Sequence, residues 1–382
     1  MDSRRGMPVL PVEAYTSQEW FDREQEAIFS RTWAFAGLPG DVSEPGQYAS
    51  VQAGLNNIFI VMGRDRRLRA FHNICRHRGT QLLRAVGNVQ RAIVCPYHDW
   101  TYDLEGSLIS VPSREREFGD LDMACLGLKK ASVDLWRGML WVHPDEHAGS
   151  IMDWFGEVEP HLGPHDVDRL VEYEKGRTEY EVAANWKIVV ENYIDGYHLG
   201  HLHSGTLAMY DHSRIEAGFV GPHFAFYEPL APEYAENAEK NAPYPLIVPP
   251  DRLGAWVPML FPGIGLVETE SSWTVFHVTP LAPGRTRVLN RTRVADASSW
   301  AFMRQSIRSY GFWAKNTGAK YKGDASDPMA SGDFTAEDIY ACEQQQRSLH
   351  SPYFQHGPSS IRGEEGVRRH QELVREWVEG SR

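Results

Sequence analysis

The sequence is poor in the features that mark secreted, membrane-spanning and low-complexity proteins. Its 382 residues include only four cysteines, too few for a disulfide framework in a chain of this length. No apolar run reaches the roughly 20 residues that a transmembrane helix needs, so no spanning helix is predicted. No apolar segment follows Arg4 and Arg5, so no export signal is predicted and we expect a cytoplasmic protein. The cysteines are Cys75, Cys95, Cys125 and Cys342.

Positive charge is also scarce. The chain has 39 basic and 51 acidic residues, and the formal net charge of −12 argues against a general nucleic-acid or anionic-membrane partner. No G-X-G-X-X-G motif occurs between a predicted strand and helix, so direct binding of NAD(P)H is not expected. By contrast, 16 histidines are present, and they group near two of the cysteines and again near residue 200.

The pattern of apolar residues predicts two domains of different character, in keeping with the length of the chain. Short apolar runs broken by Gly, Pro and Asp predict a small antiparallel β-domain over residues 35–145. Strand and helix patterns alternate after it and predict a mixed domain. Residues 205–255 contain seven prolines and little periodicity, which is typical of a functional loop. Helices are predicted near 17–33, 185–200, 297–315, 335–349 and 363–379, and strands at 178–186 and 256–294.

The first histidine group is Cys75-X-His77 followed by Cys95-X-X-His98. Each half comes at the end of a predicted strand, so two short loops each present one thiol and one imidazole. Two Cys and two His ligands fit a structural zinc ion. They also fit a [2Fe–2S] cluster with two thiolates on one iron and two imidazoles on the other. Zinc fingers usually pair Cys with Cys in one half, so the mixed halves favour the cluster.

The segments CRHRG and CPYHDWTYDLEGSL resemble the Rieske [2Fe–2S] motif. The resemblance implies that Cys75 and Cys95 hold the inner iron and that His77 and His98 hold the outer iron. Histidine ligation raises the reduction potential of such a cluster above that of an all-cysteine cluster. Beyond the ligands, the motif is matched at Pro96, Trp100, Tyr102 and Gly106.

The second group is Asp195, His198 and His203, within NWKIVVENYIDGYHLGHLHSGT. On a helix, Asp195 and His198 share a face, whereas His203 is about 140° away from His198. Both imidazoles reach one metal only if the helix ends between them, and Gly200 is the predicted end. His201 has the better spacing from His198 for an unbroken helix. Taken alone, neighbouring histidines at a polar helix end are more often solvated than metal-bound.

With the cluster motif upstream, this segment resembles the catalytic-domain motif of Rieske non-heme iron oxygenases. The resemblance implies a mononuclear Fe(II) bound by His198, His203 and one downstream carboxylate, with positions left open for O2. Asp338 is favoured, because the family places an aspartate at the start of a late helix that also carries a glutamine, here Gln346. The alternative role for Asp338 is structural, in a helix capping box with Thr335. The candidates for this third ligand are Asp333, Glu337, Asp338 and Glu343.

The resemblance gives Asp195 a catalytic role without metal ligation. In the family this position is a bridge, whose carboxylate bonds the ligand His198 and reaches a Rieske histidine, the partner subunit's His98. Electrons are then expected to cross a subunit boundary. The alternative for Asp195 is an ordinary surface aspartate. His201 departs from the family pattern and is expected to support the site, with direct ligation as the alternative.

The resemblance covers almost the whole chain and implies an α+β fold. We expect a small antiparallel β Rieske domain and a catalytic domain whose central antiparallel sheet is flanked by helices. The implied protein is a terminal mono- or dioxygenase with a [2Fe–2S] cluster, Fe(II) and O2 as co-substrate. NAD(P)H contributes only through a separate reductase, with or without a ferredoxin. A homotrimer is expected, or an assembly with a small beta subunit. The expected domains are an N-terminal helical segment packed on the catalytic domain at 1–34, the Rieske domain at 35–150 and the catalytic domain at 151–382.

Residues 205–313 are expected to line the substrate pocket, and they leave the substrate class open. The favoured interpretation is hydroxylation of an aromatic or ring-containing compound in an apolar slot. The alternative is a quaternary ammonium compound held in an aromatic cage near a carboxylate, Glu268 or Glu270. Two non-enzyme alternatives are a Rieske electron carrier and a zinc-stapled binding protein. Arg76, Arg78, Arg84 and Arg91 are candidates for a face that docks an acidic partner, with ordinary solvated loop arginines as the alternative.

Overall fold

The structure is a computed structural model that describes residues 9–320 and 326–380, apart from the side chains of 316–320. Arg4 and Arg5, and with them the first eight residues of the predicted segment 1–34, lie outside the described residues. The chain divides into a small unit, Arg23–Gly156, and a large unit, Met1–Asp22 with Glu157–Arg382. Within the described ranges, no helix combines the length and the hydrophobicity needed to cross a membrane.

The small unit is built from two antiparallel sheets. Its strands are β1 (Ala34–Gly37), β2 (Gln47–Ala53), β3 (Asn56–Met62), β4 (Leu68–His72), β5 (Val86–Asn88), β6 (Ile93–Val94), β7 (Thr101–Tyr102), β8 (Leu108–Ser110), β9 (Lys130–Trp136) and β10 (Met139–His143). Seven strands pair in the order β1-β10-β9-β4-β3-β2-β5, and β6, β7 and β8 form the second sheet. The hairpin between β9 and β10 turns through Arg137 and Gly138, whose positive φ angles suit a tight two-residue turn.

The large unit has one antiparallel sheet, in the order β11-β19-β18-β17-β15-β14-β13, with β12 on β19 and β16 between β14 and β17. These strands are β11 (Leu170–Glu172), β12 (Thr178–Val182), β13 (Glu216–Val220), β14 (His223–Glu228), β15 (Ala255–Trp256), β16 (Met259–Leu260), β17 (Ile264–Glu268), β18 (Trp273–Ala282) and β19 (Arg285–Ala295). The longest pair, β18 and β19, lies next to β11 and β12 and consists of the alternating sequences that predicted strands there.

Most helices belong to the large unit. The α-helices are α1 (Glu13–Thr16), α2 (Gln18–Glu24), α3 (Arg114–Phe118), α4 (Ile151–Phe155), α5 (Trp186–Ile194), α6 (Leu199–Leu202), α7 (Pro232–Ala235), α8 (Ala238–Asn241), α9 (Ser299–Lys320), α10 (Phe334–Leu349) and α11 (Glu365–Val378). The three late helices match the predicted stretches. The helix predicted over 17–33 leaves α-geometry after Glu24, where Gln25–Phe29 form a π-helical turn.

Helix α5 is the element that carries the second histidine group into the large unit. It is buried on nearly all sides and packs against β18 and β19, with α10 and α11 beside it. Its N-cap Asn185 accepts the main-chain N–H of Lys187 at 3.0 Å and donates its own main-chain N–H to Gln346 Oε1 of α10 at 2.8 Å. The start of α5 is therefore fixed against the helix that carries Asp338.

The segment 205–255 is more ordered than its prolines predicted. It contains β13, β14, α7, α8 and the start of β15. The prolines occur where they cost no ladder hydrogen bond, as with Pro232 in the first turn of α7. The absence of periodicity in the sequence reflects the shortness of these elements, because a pattern needs about 11 residues to show a period.

Candidate metal centres

The first cysteine loop, residues 75–80, is closed by two main-chain hydrogen bonds. The N–H of Cys75 donates to the carbonyl of Thr80 at 2.9 Å, and the N–H of Gly79 donates to the carbonyl of Cys75 at 3.0 Å. Gly79 adopts a φ of +75°, which glycine takes without steric cost. The loop buries the thiol of Cys75 and leaves His77 half-buried two residues later.

The second loop repeats this geometry around Cys95. Its N–H donates to the carbonyl of Trp100 at 2.8 Å, and the N–H of Asp99 donates to the carbonyl of Cys95 at 3.1 Å. Asp99 takes the left-handed conformation, with a φ of +53°. The Cys75 thiol interacts with that of Cys95, and burial raises the pKa of Cys95. The two loops therefore present a pair of buried thiols from matching turns.

The two imidazoles also come together. The rings of His77 and His98 lie 4.6 Å apart, edge to face, and His77 stacks on Trp100 at 4.9 Å. Burial lowers the pKa of His77, with the neighbouring charge of His98 as the second cause, so the neutral, metal-binding form is favoured. Nδ1 of His77 is buried and has no hydrogen-bond partner in the structure. A ring nitrogen without a hydrogen-bond partner, beside two thiols and a second imidazole, fits the ligand set of a [2Fe–2S] centre.

Tyr102 gives this site a hydrogen bond to sulfur. Its hydroxyl lies 3.4 Å from Sγ of Cys75 and accepts the main-chain N–H of Arg76 at 3.0 Å. Burial raises the pKa of Tyr102, followed by its interaction with Cys75, so the phenol stays protonated. The proton is then available to the sulfur. Hydrogen bonds to the ligand sulfurs are one of the means by which a protein sets the potential of an iron–sulfur centre.

The backbone of the second site differs from the predicted one. Helix α5 ends at Ile194, and Asp195 is its C-cap residue. The chain then leaves helical geometry before the single turn of α6, which runs from its N-cap His198 to its C-cap His203. The expected break at Gly200 is wrong, because Gly200 lies inside α6. The interruption begins five residues earlier, at Asp195, and frees both histidines from the axis of α5.

The turn of α6 brings its two flanking histidines against α10. Nε2 of His203 lies 3.0 Å from Oδ1 of Asp338, and Nε2 of His198 lies 3.7 Å from the same oxygen. One ligand atom from each of the three residues falls within 4.8 Å of the others, as one metal ion requires. Two imidazoles and one carboxylate form the facial arrangement used by non-heme Fe(II). Asn192 of α5 also donates to this Asp338 oxygen, at 3.2 Å.

The opposite nitrogen of each histidine is held by a second carboxylate. Nδ1 of His198 lies 3.0 Å from Oδ2 of Asp195, and Nδ1 of His203 lies 2.8 Å from Oε2 of Glu337. Carboxylates in these positions keep the proton on Nδ1 and leave Nε2 free for a metal. Burial opposes protonation of His203, but Asp338 and Glu337 together raise its pKa.

Glu337 is a candidate site residue whose position the sequence does not predict. The sequence offers Glu337 only as a possible metal ligand. In the structure its carboxylate faces Nδ1 of His203 and accepts the hydroxyl of Thr206 at 3.0 Å. The side chains of Glu337 and His203 are each 1% exposed. Because Glu337 and Asp338 are adjacent at the start of α10, no local pattern distinguishes their roles. The two roles are distinguished only by the packing of α6 against α10.

The other candidates have structural contacts. Asp333 is the N-cap of α10 and accepts the main-chain N–H of Thr335, so the predicted capping box at Thr335 and Asp338 is wrong. Glu343 accepts the N–H of Ala183 at 3.0 Å. His201 is exposed on α6, lies outside the three-residue metal group and faces the ring of Tyr197 at 6.0 Å.

Two family models match the chain. The Rieske [2Fe-2S] domain model matches residues 32–130, and the model of the ring hydroxylating alpha subunit (catalytic domain) matches residues 168–380. These matches confirm the α+β fold class and the cofactor pair of a [2Fe–2S] cluster and a non-heme iron. They also favour the cluster over zinc, and an enzyme over a simple electron carrier.

Individual relatives differ in what their names say they act on. The glycine betaine monooxygenase oxygenase subunit of Chromohalobacter salexigens is 28% identical over 95% of this chain and 84% of its own length. The large oxygenase component of the naphthalene 1,2-dioxygenase system of Pseudomonas aeruginosa is 35% identical, over 50% of this chain and 43% of its own length. The solved structure of the quaternary ammonium Rieske monooxygenase CntA has a TM-score of 0.75 at 23% identity, over 98% of this chain and 95% of that chain. That likeness shows the fold.

Proposed function

The chain belongs to the Rieske-type ring-hydroxylating oxygenase alpha-subunit family, and we propose that it is the terminal oxygenase of a multicomponent system. The observation that carries the proposal is the grouping of His198, His203 and Asp338, because this donor set binds a mononuclear iron and leaves coordination positions free. When bound, the cluster supplies single electrons and the iron activates O2. In this proposal Cys75, Cys95, His77 and His98 hold the cluster.

The residues around the iron ligands fix their orientation. Asp195 and Glu337 each hold the Nδ1 proton of one histidine, so both Nε2 atoms point toward Asp338. The imidazoles are thereby kept in one tautomer without a metal ion to organise them. Ligands oriented in advance lose less entropy on binding, and partners of this kind strengthen metal binding.

Electron transfer is proposed to run from the partner subunit's His98 to His198 through Asp195. Three properties of Asp195 support this role. One carboxylate oxygen bonds His198, the other accepts the N–H of Tyr197 at 2.7 Å, and the side chain is 18% exposed. The group is therefore fixed and still accessible from outside. Contacts of this head-to-tail kind close into a ring, so we propose a homotrimer, with or without a small beta subunit.

The electron donor is proposed to be a separate reductase, with or without a ferredoxin, that carries an acidic surface. A recess of about 600 Å³ lies beside Cys75 and His77, and its wall carries four cationic side chains against two carboxylates, Asp145 and Glu146. Attraction between opposite charges speeds such encounters and weakens with salt. Arg84 and Arg91, predicted for this role, are not among the residues that line the recess. The four cationic residues are Arg76, Arg78, Lys129 and Lys130.

The substrate is proposed to be a small organic molecule of one of two classes, a ring-containing compound or a quaternary ammonium compound. Relatives named for naphthalene and for glycine betaine both align with this chain, which supports keeping both classes. A cytoplasmic location is proposed, because an NAD(P)H-dependent reductase draws on the cytoplasmic pool of reduced cofactor.

Oxygen uptake by the metal-loaded protein tests this function. The assay contains a reductase system, NADH and a panel of aromatic acids and betaines, with oxygen consumption and product formation measured together. We expect at least one compound to give product in proportion to the oxygen consumed. A protein that holds both metal centres, is reduced by the donor and consumes no oxygen with any panel member contradicts the proposal.

A further inference from the structure

A buried carboxylate without a counter-charge lies in the large unit, apart from the metal ligands. Glu270 is 3% exposed, and its Oε2 atom has no hydrogen-bond partner in the structure. Its Oε1 atom accepts the hydroxyl of Tyr234 at 2.7 Å. Burial raises the pKa of Glu270, as expected for a carboxylate that lacks a neighbouring cation. A buried charge of this kind is costly unless it is paired.

The neighbouring carboxylates differ from Glu270 because they are already occupied. Glu268, which the sequence offered as an equal candidate, accepts the indole N–H of Trp273 at 2.9 Å and the main-chain N–H of Gly163 at 2.6 Å. Glu228 bonds Nδ1 of His212 at 2.8 Å. Of these three carboxylates, Glu270 is the one with a fully buried oxygen that has no hydrogen-bond partner.

The carboxylate of Glu270 adjoins an aromatic cluster through its hydrogen bond to Tyr234. Tyr234 is 1% exposed and packs with the partly buried Tyr210, Phe312 and Trp313 in one hydrophobic cluster. The ring of Tyr234 meets that of Phe312 at 4.8 Å. Burial raises the pKa of Tyr210, and the charge of Glu270 is the next cause, so this ring lies within the reach of that charge. Aromatic rings close to a carboxylate are the chemistry that binds methylated ammonium ions.

The cluster is connected to the iron site through a short segment. The N–H of Leu207 donates to the carbonyl of His203, and the N–H of Tyr210 donates to the carbonyl of Leu207. Two hydrogen-bonded turns thus connect the iron ligand to Tyr210, seven residues further along the chain. A substrate bound at both sites would have its reacting group at the metal and its cationic group at the cluster.

We infer that Glu270, with the rings of Tyr210, Tyr234, Phe312 and Trp313, binds the methylated ammonium group of a cationic substrate. The inference rests on the proposed oxygenase function and selects the quaternary ammonium class from its two substrate classes. A primary ammonium group fits less well, because it brings three N–H donors and Glu270 offers one unpartnered acceptor atom. A quaternary nitrogen needs no acceptors and gains from both the charge and the rings.

The test compares two probes of the same shape, choline and its neutral carbon analogue 3,3-dimethylbutan-1-ol. Binding to the oxidised protein with both metal centres loaded is measured by calorimetry, without reductant. We expect choline to bind about tenfold more tightly than the alcohol, as a desolvated cation among aromatic rings should. Equal affinity for the two probes overturns the inference.

Two variants and one control assign the preference to the cluster. Glu270→Gln keeps the shape of the side chain and is expected to bring the two affinities within about threefold of each other. Tyr210→Leu is expected to weaken the binding of choline about fivefold more than it weakens the binding of the alcohol. Glu236→Gln removes an exposed carboxylate two residues after Tyr234 and should leave the preference intact. A choline preference that survives both Glu270→Gln and Tyr210→Leu overturns the inference.

Failure of the inference and failure of the proposed function give different results. If the oxygenase function is wrong, the loaded protein consumes no oxygen when reduced, whatever the probes do. If only the inference is wrong, oxygen uptake occurs with a neutral or aromatic substrate and the choline preference is absent.

Discussion

The cluster site and the iron site are assembled by opposite means. The proposed cluster ligands lie within one stretch of chain, and matching main-chain hydrogen bonds shape both of its loops. The proposed iron ligands come from the two ends of α6 and from α10, which are distant in sequence, and side-chain carboxylates hold the two histidines. A site built from local turns is encoded by residue spacing. A site built between helices depends on tertiary packing and on partners that spacing does not reveal.

The largest effect that separates the two sites is expected from Asp338→Ala. Loss of the carboxylate removes one of three iron ligands, so the iron is expected to be lost and turnover abolished, while the cluster stays. Iron analysis and the visible spectrum measure both outcomes. Asp333→Ala is the matched control, because it removes the cap of α10 at a cost of about 1 kcal/mol and leaves the ligands in place. A fully active Asp338→Ala protein contradicts the ligand assignment.

Asp195→Asn is expected to break the connection between the sites while sparing both. The amide has no charge, but it retains an oxygen that accepts the Nδ1 proton of His198, so both metals should remain. Turnover is expected to fall by a factor of about 100 or more, because electron transfer to the iron is lost. Rapid-mixing spectroscopy of the reduced cluster with O2 and substrate measures this step. Full turnover by the metal-replete variant rules out the bridging role.

Glu337→Gln tests whether the buried carboxylate orients His203. The affinity for iron is expected to fall about 10- to 100-fold, because the Nδ1 proton of His203 loses a charged acceptor. Competition with a chelator measures that affinity, and the spectrum of the cluster should not change. Glu343→Gln, farther along the same helix, is the matched control and should bind iron normally. If the iron affinity of Glu337→Gln is unaltered, the packing around His203 orients the imidazole without this carboxylate.

Tyr102→Phe probes the hydrogen bond to the cluster sulfur. The reduction potential is expected to fall by roughly 20–65 mV, which corresponds to one hydrogen bond of about 0.5–1.5 kcal/mol. Redox titration of the visible spectrum measures the shift, and the iron site should be unaffected. An unchanged potential would show that Tyr102 only supports the loop through the N–H of Arg76.

The smallest effect compares the two cysteine loops. Gly79→Ala places a side chain at a positive φ where little else obstructs it, so the cost should be the conformational one of about 1 kcal/mol. A fall of a few degrees in the melting temperature is then expected. Asp99→Gly at the equivalent position of the other loop should be tolerated. If both variants have the same melting temperature as the parent protein, the left-handed conformation at these two positions does not limit which residues the loops tolerate.

This contrast also explains how much of the molecule the sequence predicts. The cluster ligands could be assigned because each Cys and His is separated by one or two residues in a turn. The late helices were predicted because they are long enough to show a period. Glu337 and the break of α5 could not be, since both depend on how α6 meets α10. The short elements within 205–255 carry no period, which is why the surroundings of Glu270 became visible only in three dimensions.

The most direct test of the two-centre account is the metal and sulfide content of the purified protein. The account predicts three iron atoms and two acid-labile sulfides per chain, with a Rieske-type visible spectrum, and two irons with the same spectrum in Asp338→Ala. A colourless protein with one zinc ion per chain and no sulfide contradicts it.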